Sequence, residues 1–263
     1  MIHVRQLSKA YEDEGELRTV VHAVDFDVLA GQVFGLLGPN GAGKTTILRI
    51  LATVLKPTAG SVSVNGFDVV REPDLVRRQI GYVTTNTAIY ERMTAWEMVE
   101  YFGRLHGLAP RPLRRRMEVL FAQLGMDSLR HVLGSTMSTG MRQKVSIARA
   151  LIHDPPVLII DEATSGLDVV AAREVLTVIE QLRSFGKCIL FSSHIMSEVR
   201  RLCDYICILS SGRVVAAGTS RELSERYAES DMEELFYQLI SRHNPPAPSS
   251  LSPPPPPLPT ARA

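Results

Sequence analysis

The first sixty residues change from an alternating to a helical pattern of hydrophobic positions. Residues 3–7 and 20–29 alternate with period two, as half-buried strands do, and 32–37 is a short apolar run. After Gly43 the apolar residues adopt the spacing of an amphipathic helix, which we expect to continue until Pro57 breaks it. This part of the chain therefore predicts strands followed by a helix.

The rest of the chain predicts an α/β core interrupted by helices. Two apolar runs are typical of buried parallel strands around a helix, and two further strands around Ser211-Gly212 indicate a hairpin. The strand-like segments are 61–64, 80–83, 157–160, 189–191, 205–209 and 214–216, and the helical ones are 94–153 and 170–183. Strand signals on both sides of a helical insert predict one α/β core with an inserted helical subdomain.

The composition excludes several classes of protein. Of 263 residues, 45% are hydrophobic, enough for a sizeable core. The 29 basic side chains nearly balance the 28 acidic ones, which argues against a sequence-independent nucleic-acid binder. The 3 cysteines form no CxxC pair, which argues against a disulfide scaffold or a cysteine zinc site. With no signal-like N-terminus and no apolar run of about 18 residues, we expect a soluble, non-secreted chain.

The end of the chain has a different composition. Prolines dominate residues 245–259, including the run 253–257. This bias favours a disordered, polyproline-like tail over a packed element. A docking motif for a proline-binding domain is the alternative interpretation of this segment.

The strongest chemical signal is GPNGAGKT, Gly38 to Thr45, which matches the pattern G-x-x-x-x-G-K-[ST]. It lies between a predicted strand and a predicted helix, where glycines let backbone N–H groups approach phosphate and the helix dipole favours the same anion. Lys44 would contact the β- and γ-phosphates, and the Thr45 hydroxyl would coordinate Mg²⁺. The predicted nucleotide contacts are Gly38, Pro39, Asn40, Gly41, Ala42, Gly43, Lys44, Thr45 and Thr46.

Two carboxylates follow the buried run 157–160. Asp161 would hold Mg²⁺, and Glu162 would polarise the attacking water as general base. Alone, this pattern describes an ordinary strand and a polar turn. Beside a phosphate-binding loop, it predicts a P-loop NTPase.

Further motifs resemble those of ATP-binding cassette (ABC) ATPases. Residues 137–143, MSTGMRQ, resemble the signature loop, and 165–168, SGLD, resemble the D-loop. His194 resembles the catalytic switch histidine, and Tyr11 matches the aromatic residue that stacks on adenine. The resemblance covers residues 2–218 and implies a RecA-like core with an antiparallel β part and a helical insert.

The resemblance also implies a division of the chain and a role for a second subunit. The expected parts are an ATPase core (1–86 and 154–218), a helical subdomain with the signature loop (87–153), a C-terminal helical extension (219–243) and the tail (244–263). In the family, one subunit's signature loop closes over the ATP of the other, so Ser138 and Gly140 would contact γ-phosphate in trans. A merely local role for Ser138, as N-cap of a helix from Thr139 to about His153, is the alternative.

The chain departs from the family pattern at position 85, at Thr139 and Met141 of the signature loop, and at Ala163 after the catalytic acid. By register, Thr85 stands where members commonly carry a glutamine that touches Mg²⁺, and Asn86 is the nearest amide. Threonine still offers an oxygen, so Thr85 is the expected metal contact. Together with segments around Tyr101 and the signature loop, this residue makes the chain resemble exporter ATPases of the sodium-extruding type.

The resemblance implies the ATP-hydrolysing subunit of an exporter, with ATP and Mg²⁺ as cofactors. It would form a homodimer, or a heterodimer with another ABC ATPase subunit, on a separate permease at the cytoplasmic face of the cell membrane, without nucleic acid. The cargo would be sodium, another small ion, a drug or a lipid-linked molecule. The alternatives are a soluble ABC ATPase acting on ribosomes or DNA, against which the single cassette argues, and a non-hydrolysing regulator, against which Glu162 and His194 argue.

Overall fold

The computed structural model describes residues 1–13, 15–84 and 88–243. Thr85, Asn86 and the proline-rich tail from residue 244, about which the sequence makes predictions, lie outside the described residues. Within the described part of the chain, no helix is long and apolar enough to cross a membrane.

The strands of the described residues form two sheets. They are β1 (Ile2–Asp13), β2 (Glu16–Val28), β3 (Val33–Leu37), β4 (Ala59–Val64), β5 (Phe67–Asp68), β6 (Ile80–Thr84), β7 (Val157–Asp161), β8 (Cys188–Ser193), β9 (Tyr205–Ser210) and β10 (Arg213–Gly218). β1 and β2 are longer than the alternation predicts, because register shifts after Val4, Leu7 and Lys9 interrupt the period of two.

The helices lie between and after these strands. They are α1 (Lys44–Leu51), α2 (Pro73–Gln79), α3 (Ala95–Leu105), α4 (Pro110–Gln123), α5 (Thr139–Leu151), α6 (Val169–Ser184), α7 (Met196–Leu202), α8 (Ser220–Tyr227) and α9 (Met232–His243). The seven-residue helices α2 and α7 were not predicted, because two turns carry too few apolar positions for a clear period.

The prediction that the first helix continues to Pro57 is wrong. α1 ends at Leu51, and Thr53 takes a left-handed conformation with φ of 60°. The Val54 amide then donates to the Arg49 carbonyl at 2.8 Å, which satisfies a carbonyl at the helix end. The turn therefore stops the helix before the proline is reached.

The antiparallel sheet has the order β2-β1-β4-β5, and the mixed sheet has the order β10-β9-β3-β8-β7-β6. The side chains of β1, β2 and β4 form one hydrophobic cluster with α1 and with one face of the mixed sheet. The other face of β7 and β8 packs against α3, α4, α5 and α6. This arrangement confirms the predicted α/β class with an antiparallel β part.

Within the mixed sheet, β9, β3, β8, β7 and β6 run parallel, and β10 pairs with β9 as an antiparallel hairpin. Parallel strands end at the same edge of a sheet, so segments far apart in sequence meet there. The predicted phosphate loop follows β3, the two carboxylates lie at the end of β7, and His194 follows β8. The topology thus gathers the predicted chemistry at one edge.

Two of the helices between β6 and β7, α3 and α5, begin at residues whose side chains cap them. Thr94 forms a capping box with Glu97 at the start of α3. Ser138 caps α5, its Oγ accepting the Met141 amide at 3.3 Å, which confirms the predicted N-cap. α8 and α9 pack through Leu223, Leu235 and other apolar residues against α7 and the hairpin.

A stacked pair of histidines joins the helices to the sheet. The rings of His106, which follows α3, and His153, which follows α5, lie 3.7 Å apart and nearly parallel. His153 Nε2 is 3.0 Å from the Ile80 carbonyl at the start of β6. Burial, together with the neighbouring His106 ring, lowers the pKa of His153 to about 4.

This shift predicts a pH dependence of stability. Because the folded pKa of His153 lies below its ordinary value of 6.5, its neutral ring contributes fully above that value, and the contribution is lost as pH falls from 6.5 towards about 4. We expect the melting temperature of His153→Gln, measured by circular dichroism, to fall less between pH 7.5 and pH 5 than that of the parent. His131→Gln, at an exposed histidine, is the matched control and should melt with the parent's pH dependence. Equal pH dependence of His153→Gln and the parent would contradict the assignment.

Candidate active site

The loop between β3 and α1 has a backbone path that requires glycine. Gly41 and Gly43 have φ of 81° and 101°, which side-chain-bearing residues rarely adopt. A Cβ on Gly38 would lie 2.5 Å from the Leu209 carbonyl oxygen of β9. The glycines therefore serve both the turn and close packing against the sheet.

Neighbouring segments hold this loop in place. The Gly212 amide, in the hairpin after β9, donates to the Ala42 carbonyl at 3.0 Å. The Gly212 carbonyl in turn accepts the His22 amide of β2 at 2.8 Å. The Ala42 amide closes the loop on the Pro39 carbonyl at 3.1 Å. The antiparallel sheet and the hairpin thus support the loop from outside its own sequence.

Lys44 directs its ammonium group back over the loop. Its side chain is buried, and Nζ donates to the carbonyls of Gly38 at 2.7 Å and Pro39 at 3.2 Å. The Glu162 carboxylate lies 3.4 Å from the same nitrogen. A buried cation beside the first turn of a helix is the arrangement that binds phosphate.

Asp161 ends β7 and is buried, with only 6% of its surface exposed. Ser192 Oγ donates to its Oδ1 at 2.6 Å from the neighbouring strand β8. Carboxylate and hydroxyl oxygens are the donors that Mg²⁺ prefers in proteins, and Thr45 presents a further hydroxyl in the first turn of α1. This donor set fits Mg²⁺.

Glu162 directly follows β7 in a left-handed conformation with φ of 50°. Such strain in a non-glycine residue persists only where the surroundings impose it, and it is common at functional sites. Here the Glu162 amide donates to the Ser192 carbonyl at 3.1 Å. The side chain reaches both Lys44 and His194, whose Nδ1 lies 3.5 Å from Glu162 Oε1. The structure therefore brings Lys44, Glu162 and His194 together.

The other predicted contacts lie around this group or apart from it. Tyr11 is 37% exposed and pairs with Arg18 of β2. Two residues further along β2, the carbonyl oxygen of Val20 would lie 3.0 Å from a Cβ on Gly43 of the loop. Ser138 bonds within α5, and a Cβ on Gly140 would lie 3.0 Å from the Cβ of Ala171 in α6, so among the described residues neither is seen to contact the loop. Thr85 and Asn86, the predicted metal contact and its alternative, lie outside the described residues.

Comparison with known proteins agrees with this geometry. The family model described as ABC transporter matches residues 21–165. The ABC transporter ATP-binding protein NatA of Bacillus subtilis (strain 168) is 41% identical over 92% of this chain and 99% of its own length. The chain belongs to the ABC transporter ATPase family. It is thus an ATP-binding ATPase, as its motifs imply.

Two further relatives support the membership. The Nod factor export ATP-binding protein I of Cupriavidus pinatubonensis (strain JMP 134 / LMG 1197) is 35% identical over 90% of this chain and 71% of its own. A solved structure described as the ATP binding subunit of an ABC transporter gives a TM-score of 0.81 at 31% identity, and covers 91% of this chain and 99% of that one. The predicted ABC ATPase fold is confirmed.

Sequence reasoning missed the residues that support the site. Ser192 and Gly212 carry no motif of their own, and their partners lie far away in sequence. The buried Glu198 of α7, which accepts from Ser193 Oγ at 2.7 Å, was likewise not recognised. The available signal was weak: two serines that end an otherwise apolar strand.

Replacing Lys44 with alanine tests the loop. We expect Lys44→Ala to lose most ATP affinity, by about 10-fold or more, because the cation facing the phosphates is removed. Isothermal titration calorimetry with ATP and Mg²⁺ measures the affinity. Lys56→Ala, which removes an exposed lysine after α1, is the control and should bind as the parent does. Parent-like affinity of Lys44→Ala would contradict the role assigned to Lys44.

Proposed function

We propose that this chain is the ATP-hydrolysing subunit of an exporter, working with Mg²⁺ as a dimer on a separate permease. The observation that carries the proposal is the position of Glu162 between Lys44 and His194. A carboxylate held beside a cation and an imidazole, next to a phosphate loop, can accept a proton from water. Export is supported by the relative named for Nod factor export.

Hydrolysis follows from the chemistry of these side chains. Lys44 exchanges the loop carbonyls for phosphate oxygens, which are stronger acceptors because they are charged. Glu162, once Lys44 turns to the phosphates, orients water and takes its proton as the oxygen attacks the γ-phosphorus and the bond to ADP breaks. His194 contacts the same water and phosphate. Thr45 and Asp161 would hold Mg²⁺, which would neutralise charge on the phosphates.

A second subunit completes the site in this proposal. The first turn of α5, capped by Ser138, presents free backbone N–H groups, as helix N-termini do. Ser138 and Gly140 would therefore bind γ-phosphate from the other subunit, which is either a second copy or a homologue. Lys144 of α5 pairs with Glu174 of α6 at 2.8 Å, so the two helices that border this surface are joined.

The permease is proposed to dock beside α3. Tyr90 and Tyr101 are exposed and pack edge to face with their centroids 6.1 Å apart. Arg149 of α5 lies over the Phe102 ring and donates to the Ala88 carbonyl at 2.7 Å. A partner bound to these aromatic residues is thereby linked to the helix that begins at Ser138. A chain bound to a permease through this surface would lie at the inner face of the cell membrane.

Purification of Glu162→Gln tests the proposed function. Without the base, ATP is bound but not hydrolysed, so the closed dimer and its partner accumulate. We expect a multispan membrane protein to co-purify from native membranes with ATP and Mg²⁺, identified by mass spectrometry. Glu225→Gln, at an exposed glutamate of α8, should turn over ATP and accumulate no such complex. Ribosomes or DNA-associated proteins in its place would support a soluble ABC ATPase instead.

The docking surface is tested by Tyr101→Arg. A charge among the exposed aromatic residues should reduce the recovered permease several-fold, because the apolar contact is replaced by a solvated cation. Quantitative mass spectrometry of the pull-down, in the Glu162→Gln background, measures the loss. Tyr237→Arg, at a 65% exposed tyrosine of α9, should leave recovery unchanged. Equal recovery with both variants would exclude this surface as the docking site.

A further inference from the structure

Two consecutive serines end β8 and point to opposite faces of the sheet. Both are buried, with 0% of Ser192 and 2% of Ser193 exposed. Successive side chains alternate along a strand. Ser192 shares its face with Leu190, which packs in the α1 cluster, and Ser193 shares its face with Phe191, which packs against the other helices.

Ser192 contacts both acidic residues at the end of β7. It lies directly opposite Asp161 in the parallel pairing of the two strands. Its hydroxyl donates to Asp161 Oδ1 at 2.6 Å, and its carbonyl accepts the Glu162 amide at 3.1 Å. Ser192 therefore holds both the side chain of Asp161, the predicted metal ligand, and the backbone of Glu162, the predicted base.

Asp161 and Ser192 are both buried, so the Ser192 hydroxyl matters for the stability of the Asp161 carboxylate. A buried carboxylate is unfavourable unless it is hydrogen-bonded. Position 192 follows the apolar residues Ile189, Leu190 and Phe191, so an apolar side chain would serve packing equally well. The hydroxyl is explained by the bond to Asp161, which holds the carboxylate in one orientation on the α1 face.

We propose that Ser192 is a positioning residue that orients the Asp161 carboxylate for the metal ion of the ATP site. The inference rests on the proposed function, in which Asp161 holds Mg²⁺. Groups that hydrogen-bond a metal ligand fix its geometry, and their loss weakens metal binding about 10–100-fold. Ser192 touches neither nucleotide nor metal in this role and acts through Asp161.

Ser193 is the matched control on the same strand. Its hydroxyl donates to the buried carboxylate of Glu198 at 2.7 Å and accepts the Ile195 amide at 3.0 Å. These bonds secure the turn into α7 on the opposite face of the sheet. Ser193→Ala thus removes an equally buried hydroxyl of the same strand without touching Asp161.

The experiment measures Mn²⁺ binding to the full-length chain by electron paramagnetic resonance, with the non-hydrolysable analogue AMP-PNP in the site. We expect Ser192→Ala to bind Mn²⁺ about 10-fold or more weakly than the parent. Its affinity for AMP-PNP in EDTA should stay unchanged, which a general loss of structure would not allow. Ser193→Ala should bind Mn²⁺ as the parent does. Ser192→Cys, of nearly the same size but a weak donor, should reproduce the loss if alanine folds poorly.

The outcomes separate this inference from the proposed function. Parent-like Mn²⁺ affinity in Ser192→Ala and Ser192→Cys overturns the positioning role while the parent's metal binding stands. An equal loss in Ser193→Ala also overturns it, because the effect then belongs to the end of β8 in general. A parent chain that binds AMP-PNP but no Mn²⁺ overturns the metal site of the proposed function, and the inference with it.

Discussion

Parallel hydrogen bonding places Leu36 of β3 opposite Ser192 of β8, and Ser192 opposite Asp161 of β7. One row of residues thus crosses three strands at the edge where the phosphate loop begins. A shift of one residue in either pairing would turn Asp161 towards the opposite face, because side chains alternate along a strand. Because β7 and β8 are buried on both faces, such a shift would also mismatch the close packing of their side chains on each face. The chemistry of the edge therefore depends on the packing of the sheet.

The phosphate loop depends on the surrounding sheets as much as on its own glycines. Carbonyl oxygens of Val20 and Leu209 lie close to Gly43 and Gly38, so β2 and β9 limit the space in which the loop can turn. The hairpin residue Gly212 then holds Ala42 by a backbone bond. Antiparallel and parallel parts of the protein meet at this loop, so both support its conformation.

α5 connects the surfaces that the proposed function requires. Its first turn is capped by Ser138, and Arg149 near its other end holds the Ala88 carbonyl beside the exposed tyrosines. Lys144, between them, pairs with α6. In the proposed function, these contacts at both ends of α5 would couple a change at the nucleotide to a change at the partner. The stacked histidines after α3 and α5 add a second junction with the sheet.

The sequence alone determined the strands of the core, the phosphate loop, the two carboxylates after β7 and the family. These are local features: periodicity, a contiguous motif, and acids after an apolar run. Only the tertiary structure decided the first two of three features: the hydrogen bond from Ser192 to Asp161, and the left-handed backbone of Glu162. It also decided the third, which is the end of α1 at Leu51. The first two depend on the register of β7 with β8, whose paired residues lie 31 positions apart. The third depends on a turn conformation that side-chain pattern does not encode, because threonine adopts it only where the surrounding structure requires it.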